Sequence, residues 1–334
     1  MVYRLDQLHA DGPGPLALGD RWPAERARIR TALDDLLGAL PARGPVSYAT
    51  EDVRQLDDHD QHRIRIGTAD GGSVPALLLV PHRIESPRSA MVALHPTNPD
   101  GKASVATAEG KDNRRYGLEL VQRGHVVLAP DTITAGDRLV GDDKPFHTQR
   151  HDQLHPELSA MGQMLSDHLH CLDLLVSLPQ VDPTRIGVIG HSLGGYNAFL
   201  LGGADERIAV TVSSCGFATF AGDTKPHRWG QRDWFSHFPA LSPMIDHGEV
   251  PFEWHEVAAL VAPRPFLNWM GAGDQIFGNW QPSVQGMMHV GELYASLGAA
   301  DRFESWLGHG GHDFPALVRE AAYTFCERVL DGAE

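Results

Sequence analysis

Cysteine is scarce in this chain: Cys171, Cys215 and Cys326 stand far apart in 334 residues. That spacing excludes a disulfide framework and a CxxC metal site, and the three read most simply as reduced, partly buried thiols. Long apolar runs are missing as well. No window reaches the roughly 18 apolar residues of a membrane span, and the N-terminus, "MVYRLDQLHADGPGPLALGD", has no continuous apolar stretch of the secretory kind. The expectation is a cytoplasmic protein with no membrane partner. Positive charge is in deficit, with 28 Lys and Arg against 43 Asp and Glu, a formal net charge of −15. Nucleic acids and anionic membranes both need a basic face, so neither is expected as a partner. Low-complexity tracts and fixed-period repeats are absent, and 42% hydrophobic with 21% charged residues describes an ordinary folded chain.

What is present has a rhythm. From about Arg21 to Leu40 the apolar positions recur at helical spacing, and "LPARGP" then breaks the pattern. "QHRIRIGTA" and "SVPALLLVP" alternate or are β-rich and are separated by "DGG", a hairpin signature. From Ser89 short buried strands alternate with helices: "AMVALHP", "NRRYGLELVQRG", "HVVLAPD", a long helix, and "RIGVIG". This alternation predicts an α/β fold with a mostly parallel, doubly wound sheet and an antiparallel start. In the long helix, Leu158, Met161, Leu165, Leu169, Leu172 and Val176 make one stripe at 3-4-4-3-4 spacing. After "IAVTVSSC" the regularity fails from Gly216 to about Glu253, which reads as an inserted cap. The core resumes with "RPFLNWM", a helix around Met287 to Leu297, "RFESWLG", and a helix from about Ala316 to Leu330. The expected organisation is a helical extension over residues 1–45 and an α/β domain over 46–334 with a cap at about 216–253.

"VIGHSLGGYNA" places Ser192 between glycines just after a predicted strand and just before a predicted helix. A bare GxSxG pattern is weak evidence, and an inert serine in a Gly-rich turn is the alternative. The strand-turn-helix setting is what a nucleophile elbow requires: Gly190 and Gly194 let the turn close, and Ser192 projects into a cleft. The helix behind it offers free N–H groups, that of Leu193 above all, to a developing oxyanion. A serine hydroxyl needs a base, and the base needs an orienting carboxylate. Asp274, in "GAGDQIF" at a strand's carboxyl end, supplies one, with a turn or helix-cap role as its alternative. "HGGHDFP" supplies two histidines, His309 and His312, of which His312 is preferred because it lies nearer the predicted helix start.

"GHSLGG", "RPFLNWMGAGDQIF" and "GHDFP", with "HPELSAMGQMLSDHLHCLDLL", resemble the α/β-hydrolases of the dienelactone-hydrolase and acetyl-xylan-esterase-like branch over most of the chain from about Trp22. The chain order Ser, Asp, His matches that fold. Ser192 stands where dienelactone hydrolases carry a cysteine nucleophile, so the resemblance implies an esterase-like mechanism through an acyl-enzyme. It also implies a second oxyanion donor in the loop "ALHPTNPDG"; Pro96 has no N–H, which leaves the N–H of Thr97. No cofactor or metal is implied.

Other residues carry weaker signals. His147, His151 and His155 recur every four residues, a zinc-compatible spacing on a helix, although Pro156 and the polar surroundings favour a surface loop. Arg138 is open to two readings, a contact with a substrate carboxylate or an ion pair with a carboxylate such as Asp131. Trp229 and Trp234 either line a pocket or cement the cap, and His95 and His191 complete the candidate substrate-contacting set. The expectation is a serine hydrolase acting on a carboxylic ester of a soluble small molecule. A peptidase or an acyl transferase with the same three residues, a non-catalytic binder on this fold, and a homo-oligomeric state all stay open.

Overall fold

A computed structural model describes residues 2–69 and 71–332. The chain opens with strand β1 (Tyr3–Arg4), helix α1 (Leu5–Asp11) and helix α2 (Trp22–Leu37). In α2, Trp22, Ile29, Leu33, Leu36 and Leu37 form the buried stripe, and Gly38, at φ 87°, ends the helix. An antiparallel meander follows: β2 (Tyr48–Gln55), β3 (His59–Gly67) and β4 (Ser73–Pro81). The last two are the expected hairpin, closed by Thr68 N donating to Gly72 O at 3.0 Å. Asp70 of that "DGG" turn lies outside the described residues. No strand is expected at β2 from the sequence, because all eight of its residues are exposed and no apolar alternation marks it.

The sheet then turns parallel through β5 (Arg88–Leu94), β6 (Val126–Pro130), β7 (Val181–His191) and β8 (Ile208–Ser214). A two-residue strand, β9 (Glu249–Val250), pairs with β1 outside this sheet, which ends with β10 (Phe266–Gly271) and β11 (Phe303–Gly308). Its strand order is β11-β10-β8-β7-β5-β6-β4-β3-β2. The intervening helices are α3 (Ala103–Ala106), α4 (Tyr116–Gln122), α5 (Gln149–Leu154), α6 (Ala160–Ser177), α7 (Leu193–Ala204), α8 (Ser242–Asp246), α9 (Trp254–Ala258), α10 (Trp280–Ser296) and α11 (Ala316–Leu330).

Because successive strand residues point to opposite faces, the sheet makes two cores. Val92, Leu94, Leu128 and Val188 pack with residues of α2, α6 and α7, while Met91, Ala93, Val127 and Ile189 pack with residues of α4 and α11. The winding reverses at β5, whose neighbours are β6 and β7. Open α/β sheets bind ligands just beyond the carboxyl ends of strands at such a point.

Two expectations need correction. The stripe assigned to α6 is not its most buried face: Leu169 and Val176 are half-buried, whereas Met164, Cys171, Leu174 and Leu175 are fully enclosed. The helix has the sheet on one side and α2 on the other, so burial extends around most of its circumference. Helix α10 begins at Trp280, about two turns before the expected start at Met287.

The irregular segment 216–253 is well packed. Trp229, Phe235, Phe238 and Phe252 are buried, and Trp229 lies 4.6 Å, centroid to centroid, from Trp254. Glu253 ties its ends together, accepting hydrogen bonds from Phe220 N at 2.7 Å and Ala221 N at 2.9 Å while capping α9. The N-terminus braces it from outside: besides the β1–β9 pair, Leu5 N donates to Gly248 O at 2.8 Å and Arg28 pairs with Glu256 at 2.6 Å.

Candidate active site

The turn between β7 and α7 holds Ser192 at φ 57°, ψ −121°, a left-handed backbone that a non-glycine residue adopts only when its surroundings enforce it. Two contacts enforce it here. A Cβ on Gly190 would meet the carbonyl group of Gly194 at 2.2 Å, and one on Gly194 would meet Leu94 O at 1.9 Å. Backbone packs on backbone at both points, so only glycine fits. Ser192 N donates to Ser214 O at 2.8 Å, which anchors the turn to the end of β8. The first-turn N–H of Leu193 is left without an intrahelical acceptor, as at any helix start.

His312 comes from the loop after β11 and Asp274 from the loop after β10. The Nδ1–H of His312 donates to Asp274 Oδ2 at 2.7 Å, and Asp274 Oδ1 accepts from Ile276 N at 2.7 Å and Phe277 N at 3.1 Å. Burial pushes the Asp274 carboxyl up, but the hydrogen bond and charge of His312 and the two backbone donors outweigh it and hold the group below the ordinary aspartate value. Asp274 therefore stays ionised and fixes one imidazole tautomer. His312 Nε2 is buried with no hydrogen-bond partner, and His312 lines the same cavity as Ser192. His309 is exposed.

Behind His312 lies His191, 5.0 Å away ring to ring, stacked on Phe314 and bonded through Nδ1 to Ser214 Oγ at 2.9 Å. Burial, with Arg114 and His312 nearby, drives its pKa well down, so it remains neutral beside the base. Cys215 packs beside the same pair; burial raises its thiol to about 12, which keeps it protonated and non-nucleophilic.

The cavity encloses about 970 Å³ and takes in Thr97, Leu193, His191, Trp229 and Trp234. Two residues expected to touch substrate do not line it. His95 is fully buried beneath the loop that carries Thr97: its Nδ1–H donates to Pro96 O at 2.7 Å and its Nε2 accepts from Thr132 N at 3.0 Å, so it braces the loop from inside. Arg138 is spent on buried Asp167 of α6, at 2.6 Å. The alternative reading of Arg138 as a member of an internal ion pair holds, with Asp167 as the partner in place of Asp131. Asp131 accepts from Lys102 Nζ at 2.5 Å, Lys102 N at 2.8 Å and Asp137 N at 2.9 Å. His147, His151 and His155 do not converge on a common point: α5 spans six residues, His147 precedes it and His155 ends it.

The sequence reading missed Tyr196, Arg232 and His237, which also line the cavity. Tyr196 was recoverable, since it follows Ser192 by one helical turn and its N–H donates to Ser192 O at 2.9 Å. Arg232 and His237 sit in the irregular segment, where no periodicity assigns a direction to a side chain.

The Asp131 cluster has a measurable consequence. Replacing Asp131 with Ala leaves the Lys102 ammonium buried with only the partly exposed Asp137 as partner, and should cost about 3 kcal/mol of stability. The loop at Thr97 should loosen with it, so kcat should fall more than KM rises. Denaturant unfolding and steady-state kinetics on the same preparation test both halves; an unchanged unfolding midpoint would remove the cluster's structural role.

The chain is similar to known hydrolases in sequence and in fold. A family model described as glucuronyl esterase of fungi matches residues 164–298. The Bacillus subtilis (strain 168) protein YtaP, which carries the name of a hydrolase, is 28% identical over 315 residues, 91% of this chain and 100% of its own length. The 4-O-methyl-glucuronoyl methylesterase of Podospora anserina is 27% identical over 200 residues, and the match spans 52% of this chain but 39% of that enzyme. A glucuronoyl esterase from Solibacter usitatus has the same fold, with TM-score 0.68, 17% identity, and coverage of 95% of this chain and 98% of that one. The chain has the α/β-hydrolase fold, and it is similar to proteins named as a carboxymethylenebutenolidase and as an acetyl xylan esterase. Several of these relatives are named as esterases. No helix among the described residues is long and apolar enough to cross a membrane.

Proposed function

We propose that Ser192, His312 and Asp274 carry out the hydrolysis, and that the substrate is a soluble ester with a short acyl or alcohol part and a polar or cyclic remainder. The observation that carries this reading is the His312–Asp274 hydrogen bond, which leaves the Nε2 lone pair free on the cavity that Ser192 also lines. Ser192 Oγ attacks the ester carbonyl carbon as its proton passes to His312 Nε2. The carbonyl oxygen takes the negative charge against the N–H groups of Leu193 and Thr97. Collapse of this intermediate breaks the C–O bond, and His312 returns the proton to the departing alcohol. Water then repeats the sequence on the acyl-enzyme.

The substrate class rests on the lining and on the relatives. Aromatic faces such as Trp229, Trp234 and Phe277 alternate with polar groups, an arrangement suited to a ring bearing oxygens. Relatives named for action on glucuronoyl or carbohydrate esters support the same class. Three buried, free thiols suit a reducing compartment, which supports the cytoplasm as the place of action.

Fluorophosphonate labelling followed by peptide mapping tests the nucleophile, with the label expected on Ser192. A 4-nitrophenyl ester series from acetyl to palmitoyl tests the substrate class: efficiency should be highest for the short acyl groups. A rate that climbs with chain length, or jumps above the micellar concentration, would point to a lipase and refute the reading.

A further inference from the structure

The charge of the cavity runs against that of the protein. Lys111, Arg114, Lys225, Arg228 and Arg232 line it with Asp100 as the one carboxylate, in a chain of formal net charge −15. Most of these cations are accounted for: Arg114 pairs with Asp313 at 3.2 Å, Arg228 pairs with buried Asp223 at 3.1 Å, and the two lysines are exposed. Arg232 is different. Its Nε–H donates to Phe235 O at 2.7 Å, an NH2 nitrogen lies 3.1 Å from His237 Nε2, and its guanidinium sits 4.7 Å from the Trp234 ring and 5.6 Å from that of Phe235. Among the described residues no carboxylate pairs with it. Burial, with Arg228 nearby, lowers its pKa to about 10, the direction expected of a cation that lacks a counter-ion.

Two further polar atoms at the same place have no partner. Tyr196 Oη and His237 Nδ1 are both buried without a hydrogen bond, and their rings stack with centroids 5.7 Å apart. Burial raises the Tyr196 hydroxyl well above its ordinary value, and it pushes His237 well below its own, with Arg232 adding to the effect. Both groups are therefore neutral. A buried hydroxyl, a buried imidazole nitrogen and an uncompensated guanidinium, all on one cavity wall, are a costly arrangement when empty. One anionic group with two oxygens would relieve all three.

We propose that Arg232, with Tyr196 and His237, forms a subsite for a carboxylate on the substrate, a second acidic group separate from the ester that is cleaved. The inference deepens the proposed function and rests on it. A single guanidinium flanked by neutral donors matches the single charge and paired oxygens of a carboxylate, for which the planar fork of arginine is suited. The exposed Lys111 and Lys225 at the same cavity would draw such an anion toward it.

The test uses half methyl esters of malonate, succinate, glutarate and adipate, each beside its neutral isostere in which the free carboxylate is a primary amide. Wild type should prefer at least one half ester over its amide. In Arg232→Gln that preference, taken as the ratio of the two kcat/KM values, should drop about 30-fold, mostly through KM, as expected for loss of a charge-assisted pair. Arg232→Lys should restore part of it. Tyr196→Phe should lower the ratio several-fold without lowering the thermal midpoint, because its hydroxyl has no partner to lose. The subsite is refuted if wild type prefers no half ester, or if Arg232→Gln lowers both members of each pair alike. Ser192→Ala run in parallel separates the two ideas: Ser192-dependent cleavage without preference removes the subsite alone, and cleavage that survives Ser192→Ala removes the proposed mechanism.

Discussion

Ser192→Ala, His312→Ala and the double variant should each lose kcat by a similar factor, on the order of 10⁴ or more, because a nucleophile without its base and a base without its nucleophile are equally idle. The geometry makes this expectation sharp. His312 Nε2 has no partner other than what enters the cavity, and its Nδ1 is committed to Asp274 at 2.7 Å. Removing Asp274 should therefore act through His312, by freeing the wrong tautomer and leaving the imidazolium uncompensated. His309→Ala serves as the control and should keep most of the activity, since His309 is exposed on the same loop. Steady-state kinetics on a short-chain ester, with active sites counted by fluorophosphonate, decide the matter. Losses that add in the double variant would mean that Ser192 and His312 do not act as a unit, and a greater loss at His309 would transfer the base to that residue.

The residues of this arrangement were legible in the sequence because each announces itself locally. Ser192 stands between Gly190 and Gly194, where a strand gives way to a helix, and Asp274 and His312 each follow a short strand; these are properties of five or six consecutive residues. The boundaries of α11 were legible for the same reason, since Pro315 stops the preceding loop and the apolar stripe then runs to Leu330. Features that depend on contacts between distant segments were not. Arg138 meets Asp167 because the short turn Gly136–Arg138 and α6 lie side by side, and nothing in either stretch marks the partner. The same holds for β1, two residues long, which exists as a strand only because β9 lies beside it. His95 was a candidate for substrate contact; its imidazole instead turns into the core to hold the loop that carries Thr97, a direction that the alternation of β5 does not extend to. Arg232, Tyr196 and His237 were hidden for a further reason. Their significance lies in what they lack, and an unpaired, half-buried cation can be recognised only when every neighbour is known.

Gly194→Ala should reduce kcat by about 10² to 10³ while KM changes little, the magnitude associated with loss of an oxyanion donor. A methyl group at this position would stand 1.9 Å from Leu94 O, 2.6 Å from Leu94 C and 3.0 Å from His95 O, all backbone atoms that cannot rotate away. Either α7 or the end of β5 has to move. Those two elements carry the proposed oxyanion donors, Leu193 at the start of α7 and Thr97 just past the end of β5, so the displacement widens the gap in which the carbonyl oxygen must sit. Ser192 itself, tied to Ser214 O through its N–H, should remain reactive enough to be labelled, only more slowly. Gly310→Ala makes the comparison, because a Cβ there meets nothing within 4 Å although the loop leads to His312. Kinetics, the rate of fluorophosphonate labelling and the thermal midpoint should be measured for both variants. Gly194→Ala should also unfold at a lower temperature, and the two effects separate on the labelling rate per folded molecule. If that rate and kcat match wild type in Gly194→Ala, the close approach of α7 to β5 does not set the oxyanion site, and the donors must be sought elsewhere on the cavity wall.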